Sequence, residues 1–401
     1  MKSLFEKKFS QVFFSYHLLN EFFVAFSGLL PFILRKELAA SAFQISFFAM
    51  LKPAVALVSF YSSLRWLQRR PLRFRLLFSG LLARVPFLFF PFFNSISYLI
   101  LASGCFMLFS RASLPSWMEL LKQHVAKEKR ERLFSQGMLL AYVENVFIAA
   151  LIGFWFDREG LVWKWFCFFS ALAGLLGVIL QFRLFPNEKP TALPPVCKKP
   201  LKESWRLLKE RKDFFYFQIG TMASGFALML LAPALALFLA DFLKLSYFDL
   251  TLGRYIFMGL GFVFFTPLWT KMLERFHILH LTAWICLGFA LFSGLILVAF
   301  WVKNFFFLAF LVYGIFQAGS YLVWHLSGPI FAGENQDSTQ YTALNVLMVG
   351  FRGLLAPLLG GLLCEKLGPL FVFTLAALIS FAGAFAMVWA RKNLKRKAAA
   401  A

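Results

Sequence analysis

The chain has 401 residues, of which 60% are hydrophobic and only 15% are charged, and its mean hydropathy is +0.72. This composition excludes a soluble globular protein, since so few charges cannot cover the surface of a chain of this length. The formal net charge is +22, but the basic residues lie in short segments between apolar runs, which argues against a nucleic-acid partner.

Apolar runs of about twenty residues, the length needed to cross a bilayer, recur along the whole chain. The pattern predicts an all-α integral membrane protein. Twelve transmembrane helices are predicted: Gln11–Leu34, Ser41–Leu64, Leu72–Phe93, Ser95–Leu120, Leu133–Phe156, Val162–Phe185, Phe214–Ala240, Ser246–Leu268, Leu279–Val302, Asn304–Phe331, Tyr341–Leu363 and Pro369–Ala390.

The loop charges predict how these spans are oriented. Most Lys and Arg residues outside the spans fall on the side of the membrane that carries the N-terminus. Because basic loops are retained in the cytoplasm, both termini are predicted to be cytoplasmic, with the protein in the inner membrane of a bacterium. The first apolar run is too long for a signal-peptide core and contains Asn20 and Glu21, so it is interpreted as an uncleaved helix.

A polar, basic and proline-bearing segment, "PNEKPTALPPVCKKPLKESWRLLKERKD", separates the sixth span from the seventh. Residues 186–213 are therefore predicted to be a cytoplasmic linker that contacts lipid headgroups. It joins an N-terminal bundle, residues 1–185, to a C-terminal bundle with a basic tail, residues 214–401. Residues that match in order between the halves indicate a duplication: Pro31 with Pro233, Trp66 with Trp269, Trp117 with Trp324, and Gly153 with Gly360.

No pattern in the sequence predicts a catalytic centre, a metal site or a cofactor. The five cysteines form no CxxC pair, and all but Cys197 lie within apolar spans. No nucleophile–base pair stands out. The chain is not expected to be an enzyme.

Three segments resemble the major facilitator superfamily of secondary transporters. "YTALNVLMVGFRGLLAPLLGGLLCEKLG", from Tyr341 to Gly368, is similar to the family's eleventh helix, and "SLPSWMELLKQHVAKEKRERLFSQG" resembles the loop between its fourth and fifth helices. "PLWTKMLERFH" resembles the second copy of its cytoplasmic gating motif, with Glu274 and Arg275 in the gating places. The first copy departs from the pattern, because "YSSLRWLQRRPLRFR" lacks the glycine and the aspartate.

The resemblance implies two pseudo-symmetric six-helix bundles that work by alternating access. In that fold the first, fourth, seventh and tenth helices line a central cavity, while the second helix pairs with the eleventh and the fifth with the eighth. Placed on this frame, eight residues become candidates for substrate binding: Lys52, Arg111, Gln317, Tyr321, Trp324, His325, Asn345 and Arg352. The alternatives are that Lys52 snorkels to the interface, that His325 is a core residue and that the aromatic stripe only packs.

Charged residues deep in the spans mark two further functions, since ionisable groups inside a membrane usually face each other or a pathway. Glu21, with His17 one turn away, is the candidate for proton coupling. Glu144 and Arg254 lie at similar depth on spans five and eight, which predicts a gating latch between the halves. Arg84, on a usually peripheral helix, is interpreted mainly as a structural residue.

The charge balance predicts the substrate. Five cations lie at mid-membrane depth, Lys52, Arg84, Arg111, Arg254 and Arg352, against two carboxylates, Glu21 and Glu144. The expected function is transport of a small organic anion by a monomer, with a proton or another ion as the coupling partner. The alternatives are a proton-coupled exporter of hydrophobic or cationic compounds, a non-transporting sensor or scramblase of the same fold, and a multi-pass membrane enzyme.

Overall fold

A computed structural model of the chain describes residues 2–61, 71–93, 95–124, 127–158, 162–184, 206–332 and 339–400. This part of the chain is helical and contains no strand. Its main helices are α1 (Lys2–Lys36), α2 (Ala42–Tyr61), α3 (Leu72–Leu88), α4 (Ile96–His124), α5 (Lys127–Phe156), α6 (Val162–Leu184), α7 (Lys212–Leu237), α8 (Met258–Arg275), α9 (Ile278–Val298), α10 (Phe305–Ala332), α11 (Thr339–Leu367) and α12 (Pro369–Ala400).

Short elements adjoin three of these helices. Phe90–Phe93 adds one helical turn after α3, and the π-helical segment Phe238–Phe242 extends α7. Tyr247–Thr251 and the π-helical segment Leu252–Phe257 lead into α8.

Nine helical segments in the described part of the chain are long and apolar enough to cross a membrane. They correspond to α1, α4, α6, α7, α8 with its leading turns, and α9 to α12. The apolar parts of α2 and α5, Ala42–Leu57 and Val143–Phe156, are shorter. The predicted third span is split, because the backbone leaves the helix at Phe89 after Pro86. The number of twelve spans stays a prediction.

The chain divides into two compact units. The first unit contains Met1–Ala40, Ala54–Val196 and Ser246–Asp249, and the second contains Ser41–Pro53, Cys197–Leu245 and Leu250–Ala401. The predicted domain boundaries at 185 and 214 stay a prediction. Most of the predicted linker, the first gating-like segment at 62–70 and the loop at 333–338 lie outside the described residues.

In the first unit, α1 packs against α5 and α6, and α3 packs against α4 and α6. The buried rings of Phe23 and Phe87 meet edge to face with centroids 4.7 Å apart. Arg84 is only 3% exposed and ties α3 to α1. Its Nη2 donates to the hydroxyl of Tyr16 at 3.4 Å and to the amide oxygen of Asn20.

One end of the first unit is held by a polar cluster around Tyr247. The carboxylate of Asp157 accepts hydrogen bonds from the backbone N–H groups of Tyr247, at 2.8 Å, and Phe248, at 2.9 Å. The hydroxyl of Tyr247 donates to Glu37 at 2.8 Å, and Lys36 lies 3.7 Å from Asp157. A carboxylate that receives two N–H groups at a helix start is favourably placed, so this segment is firmly attached to the first unit.

In the second unit, α7 packs against α9, α11 and α12, and the first part of α2 lies along α11. The backbone N–H of Phe43 donates to Glu365 at 3.0 Å. Pro53 fills the space above Gly353, where an added Cβ would lie 2.2 Å from the Cβ of the proline. Small residues therefore bring these helices close together, as is common in membrane bundles.

One close helix crossing in the second unit joins α8 to α10. A Cβ on Gly314 would lie 1.9 Å from the carbonyl oxygen of Met258, and one on Gly261 would lie 2.3 Å from the carbonyl oxygen of Leu311. Backbone cannot move aside as a flexible side chain can. The contact between these two helices therefore requires glycine at both positions.

We expect Gly314→Ala to lower the stability of the purified protein by about 1–3 kcal/mol, because its methyl group meets backbone. Gly294→Ala is the matched control, since an added Cβ there meets no atom within 4 Å. Thermal unfolding of both variants in detergent checks this. Equal melting temperatures for the two variants would show that α8 and α10 do not cross at Gly314.

Candidate functional site

The second unit contains a cavity of about 310 Å³ between α7, α9, α10 and α11. Helix α11 contributes Arg352 to its wall, and α10 contributes Tyr313, Gln317 and Trp324. Among the described residues that line the cavity, Arg352 is the only cation, and none of them is a carboxylate. The cavity is therefore polar at one pole and aromatic along one side.

The guanidinium of Arg352 lies flat against α7. A Cβ on Gly225 would be 2.1 Å from Cζ, so only glycine leaves room for the guanidinium. Nη1 donates to the backbone carbonyl of Thr221, whereas Nε is buried without a hydrogen-bond partner. Within the second unit, no described carboxylate lies within 4.0 Å of these nitrogens. Arg352 is thus half-buried with its Nε fully enclosed, and no described carboxylate of its own unit supplies a counter-charge.

The same face of α11 carries Tyr341 and Asn345, as the helical spacing predicts. This face packs against α7 and α10. Gln218 donates to the side-chain oxygen of Asn345, and Asn345 Nδ2 donates to Ser327 Oγ at 2.7 Å. Both ends of the Asn345 amide are therefore used inside the protein, and its predicted part in substrate binding stays a prediction.

A paired arginine lies in the same unit, at the end of α7 and α11 that is predicted to face the cytoplasm. Arg211, just before α7, donates to Asp213 at 2.9 and 3.1 Å and to the hydroxyl of Tyr341 at 3.0 Å. The hydrogen bonds to Asp213 raise the pKa of Arg211 above its usual value. Among the described residues of the second unit, no carboxylate pairs with Arg352 in this way.

The four residues singled out on α10 lie on two faces. Gln317 and Trp324 line the cavity. Tyr321 is 44% exposed, and its ring contacts that of His325 in a tilted arrangement with centroids 4.3 Å apart. His325 is also exposed. Of the predicted stripe, Gln317 and Trp324 therefore line this cavity and Tyr321 and His325 do not, and the part of all four in substrate binding stays a prediction.

The other predicted substrate contacts lie elsewhere. Lys52 is exposed on α2, and the next residue, Pro53, is buried against Gly353. Arg111 is exposed on α4 in the first unit and takes part in an interaction there. Their roles stay predictions.

The predicted gating residues are spread over both units. Arg254 lies in the π-helical segment before α8 and acts electrostatically on the phenol of Tyr313, which lines the cavity. Glu274 and Arg275 are exposed at the end of α8. Glu144 belongs to the first unit and Arg254 to the second, and the latch between them stays a prediction.

An acidic cluster lies in the first unit between α1 and α5. Glu21 is 6% exposed and accepts a hydrogen bond of 3.1 Å from Asn145 Nδ2. Glu144 interacts electrostatically with Glu21, and its Oε2 is buried without a hydrogen-bond partner. Within this unit, no described Lys or Arg lies within 4.0 Å of either carboxylate. His17 lies one turn from Glu21 on α1, and Arg84 of α3 donates to Asn20, which precedes Glu21.

A second recess, of about 520 Å³, lies on the first unit. Its walls include Trp155, Trp165 and Phe169, which are 53%, 52% and 60% exposed. The hydroxyl of Ser170, the polar residue in the lining, donates to the carbonyl of Cys167. Aromatic side chains that face a bilayer favour contact with acyl chains, so this recess is not a candidate for a polar substrate.

Sequence reasoning missed several residues of the two sites. Tyr313 precedes Gln317 by one helical turn, and this spacing could have revealed it. Thr221 and Ser224 are polar residues one turn apart on α7, and their spacing could have revealed them in the same way. Asn145 stood beside Glu144 in the sequence, but no spacing rule connects it with Glu21 on another helix.

The comparisons with known proteins identify the family. The sequence pattern of the Major Facilitator Superfamily matches residues 12–335. The chain belongs to the Major Facilitator Superfamily and is an integral multi-pass membrane protein. No curated protein sequence matches it.

Solved transporters share the fold at low sequence identity. A crystal structure of the nucleoside transporter NupG has a TM-score of 0.74 and 14% identity and covers 96% of this chain and 99% of its own. A crystal structure of the peptide transporter POT has a TM-score of 0.72 and 13% identity, and the match covers 98% of this chain and 95% of POT. A bacterial homologue of the iron transporter ferroportin, in an inward-facing state, has a TM-score of 0.72 and 15% identity, and the match covers 94% of this chain and 98% of the homologue. The TM-scores show that the fold is shared. The identities are too low to indicate the substrate.

We expect Arg352→Met to raise the stability of the ligand-free protein by about 1–4 kcal/mol, because it removes a buried charge that has no counter-charge in its unit. Arg211→Met is the control and should lower stability by about 1 kcal/mol, because it breaks the pair with Asp213. Thermal unfolding of the purified, ligand-free variants measures both. A fall in melting temperature for Arg352→Met as large as for Arg211→Met would show that Arg352 is a structural residue.

Proposed function

We propose that the protein is a secondary active transporter that moves a small organic anion across the membrane by alternating access. One observation carries this proposal. The buried guanidinium of Arg352 lies in the wall of a cavity, and within its unit no described carboxylate is close enough to neutralise it.

The cost of an unpaired buried charge explains why an anion fits this cavity. A charge in a low-dielectric interior is expensive unless an opposite charge accompanies it. A transport substrate that arrives and leaves provides that counter-charge only during the cycle. An arginine presents several N–H groups in a fixed plane that match a carboxylate or phosphate, so Arg352 is the proposed principal contact, with Arg111 as a second.

Membership of the family does not identify the substrate, since the solved structures that share the fold include a nucleoside transporter, a peptide transporter and a homologue of an iron transporter. Fold and function are separable, and the side chains of this protein must decide. The proposal includes the finer architecture predicted from the sequence: twelve spans, two pseudo-symmetric bundles and cytoplasmic termini in a bacterial inner membrane. It also includes an association with lipid headgroups at the basic linker and a monomeric state.

Transport in liposomes tests the proposed substrate charge. In competition assays, small carboxylates should inhibit uptake or exchange, and lipophilic cations should not. We expect Arg352→Gln to reduce transport at least about tenfold, because one charge-assisted hydrogen bond contributes about 1.5–3 kcal/mol. Lys366→Gln removes an exposed cation from the same helix and should leave transport unchanged.

Arg352→Lys separates charge from geometry in this experiment. It keeps the charge and loses the planar fork, so it should restore only part of the activity. Robust export of lipophilic cations by Arg352→Gln would overturn the anion proposal and support the exporter alternative.

The acidic cluster supports proton coupling as part of the same proposal. Glu21 and Glu144 are two buried or half-buried carboxyl groups that act on each other, and within their unit no described Lys or Arg neutralises them. Like charges at this depth repel each other, so the pair is suited to carry one proton that is exchanged during the cycle. Asn145 donates to Glu21 and holds the carboxylate in place.

We expect Glu21→Gln to abolish accumulation driven by a pH gradient but to preserve exchange of substrate for substrate, which needs no net proton movement. Glu144→Gln should have a weaker effect in the same direction, and Glu210→Gln, an exposed surface carboxylate, should have none. Parallel assays of gradient-driven uptake and counterflow in liposomes distinguish the two activities. Intact gradient-driven accumulation in both variants at the cluster would exclude it as the proton site.

The latch gives Glu144 a different role, and the two roles are separable. A latch with Arg254 predicts that Arg254→Gln impairs exchange as well as accumulation. The proton role predicts that Arg254→Gln leaves the response to the pH gradient unchanged.

A further inference from the structure

The cavity around Arg352 carries more information than the sign of the substrate's charge. Its volume of about 310 Å³ is near the lower end of the range for ligand pockets, about 300–1,000 Å³. This space admits a small molecule of one ring with its substituents and excludes a peptide of several residues. A single guanidinium lies in the wall, so a second negative charge on the ligand would be buried without a partner.

Three aromatic side chains form walls of the same cavity. Phe289 on α9 and Tyr313 on α10 pack against each other with centroids 5.8 Å apart, and Trp324 lies further along α10. The ring of Phe292 also packs against that of Tyr313, with centroids 4.9 Å apart, and restricts its movement. Rigid rings favour a flat, aromatic ligand through stacked or edge-to-face contacts.

Three of the five hydroxyl groups that line the cavity offer acceptors. Thr221 donates to the carbonyl of Phe217, Ser224 donates to that of Gly220, and Thr282 donates to that of Ile278. Each proton is therefore directed into the hydroxyl's own helix, and each oxygen keeps lone pairs for a ligand. Gln317 adds an amide that both donates and accepts.

We propose that the ligand of this cavity is a single-ring aromatic monocarboxylate that carries a hydroxyl or amino substituent on the ring. Its carboxylate binds Arg352, its ring lies against Trp324 and Tyr313, and its substituent donates to the hydroxyl oxygens or to Gln317. This inference rests on the proposed anion transport and narrows it to one chemical class.

Calorimetric titration of the purified full-length protein in detergent tests the class. The probes are the three hydroxybenzoates, the three methylbenzoates, cyclohexanecarboxylate, phenyl phosphate and benzamide. The best hydroxybenzoate should bind about 3–10-fold more tightly than its methyl counterpart, which has the same shape but no donor. Cyclohexanecarboxylate should bind about 3–10-fold more weakly than benzoate because its ring cannot stack. Benzamide, which lacks the charge, should bind at least about tenfold more weakly.

Two variants assign these preferences to residues. In Gln317→Leu, the ratio of affinities for hydroxybenzoate and methylbenzoate should fall, while benzoate still binds. In Trp324→Leu, the ratio for benzoate and cyclohexanecarboxylate should fall. Trp301→Leu is the control, since Trp301 is 73% exposed and lies outside the cavity. Each ratio is measured on one variant, so partial loss of folded protein does not change it.

The outcomes distinguish this inference from the proposed function. Tighter binding of phenyl phosphate or cyclohexanecarboxylate than of every hydroxybenzoate, with affinity lost in Arg352→Gln, would overturn the aromatic class and leave anion transport intact. Anion binding that is the same in Arg352→Gln and the unmodified protein would overturn both. Ratios that do not change in Gln317→Leu and Trp324→Leu would show that the ligand does not occupy this cavity.

Discussion

The cost of burying a positive charge between membrane helices governs the second unit. Arg352 lies against α7 with one N–H group bonded to a backbone carbonyl and another without any partner. A protein that needed only stability would place an apolar residue there, because an uncompensated charge in low dielectric destabilises the fold. Its presence in a cavity wall is explained if the counter-charge is a ligand. The proposed function and the proposed ligand class both follow from this one constraint.

The surrounding helices make the arrangement possible. Gly225 leaves space for the guanidinium, and the hydrogen bonds among Gln218, Asn345 and Ser327 hold α7, α10 and α11 together beside the cavity. In the first unit, the carboxyl groups of Glu21, which is buried, and Glu144, which is half-buried, have no described Lys or Arg of that unit within 4.0 Å. A basic site in one unit and an acidic site in the other give the two units separate roles in the proposed transport cycle, one for the anion and one for the proton.

Much of this organisation is visible in the sequence, because hydropathy and helical period are local properties. They predicted the helical, membrane-spanning fold, and they drew attention to Arg352, Gln317 and Trp324, whose part in binding stays a prediction. They drew attention to Tyr321 and not to Tyr313, because only packing decides which aromatic residues of α10 line the cavity. They also failed to connect Asn145 with Glu21 or Asp157 with Tyr247, since these contacts join residues far apart in the chain and depend on how helices pack.

The most direct test of the central claim is anomalous diffraction from crystals of the protein with 3-bromo-4-hydroxybenzoate. If Arg352 awaits an anion, the bromine peak will lie in the cavity beside Trp324, and the carboxylate will lie within hydrogen-bonding distance of the Arg352 guanidinium. A bound ligand elsewhere, with Arg352 instead paired to a carboxylate of the protein, would contradict the claim.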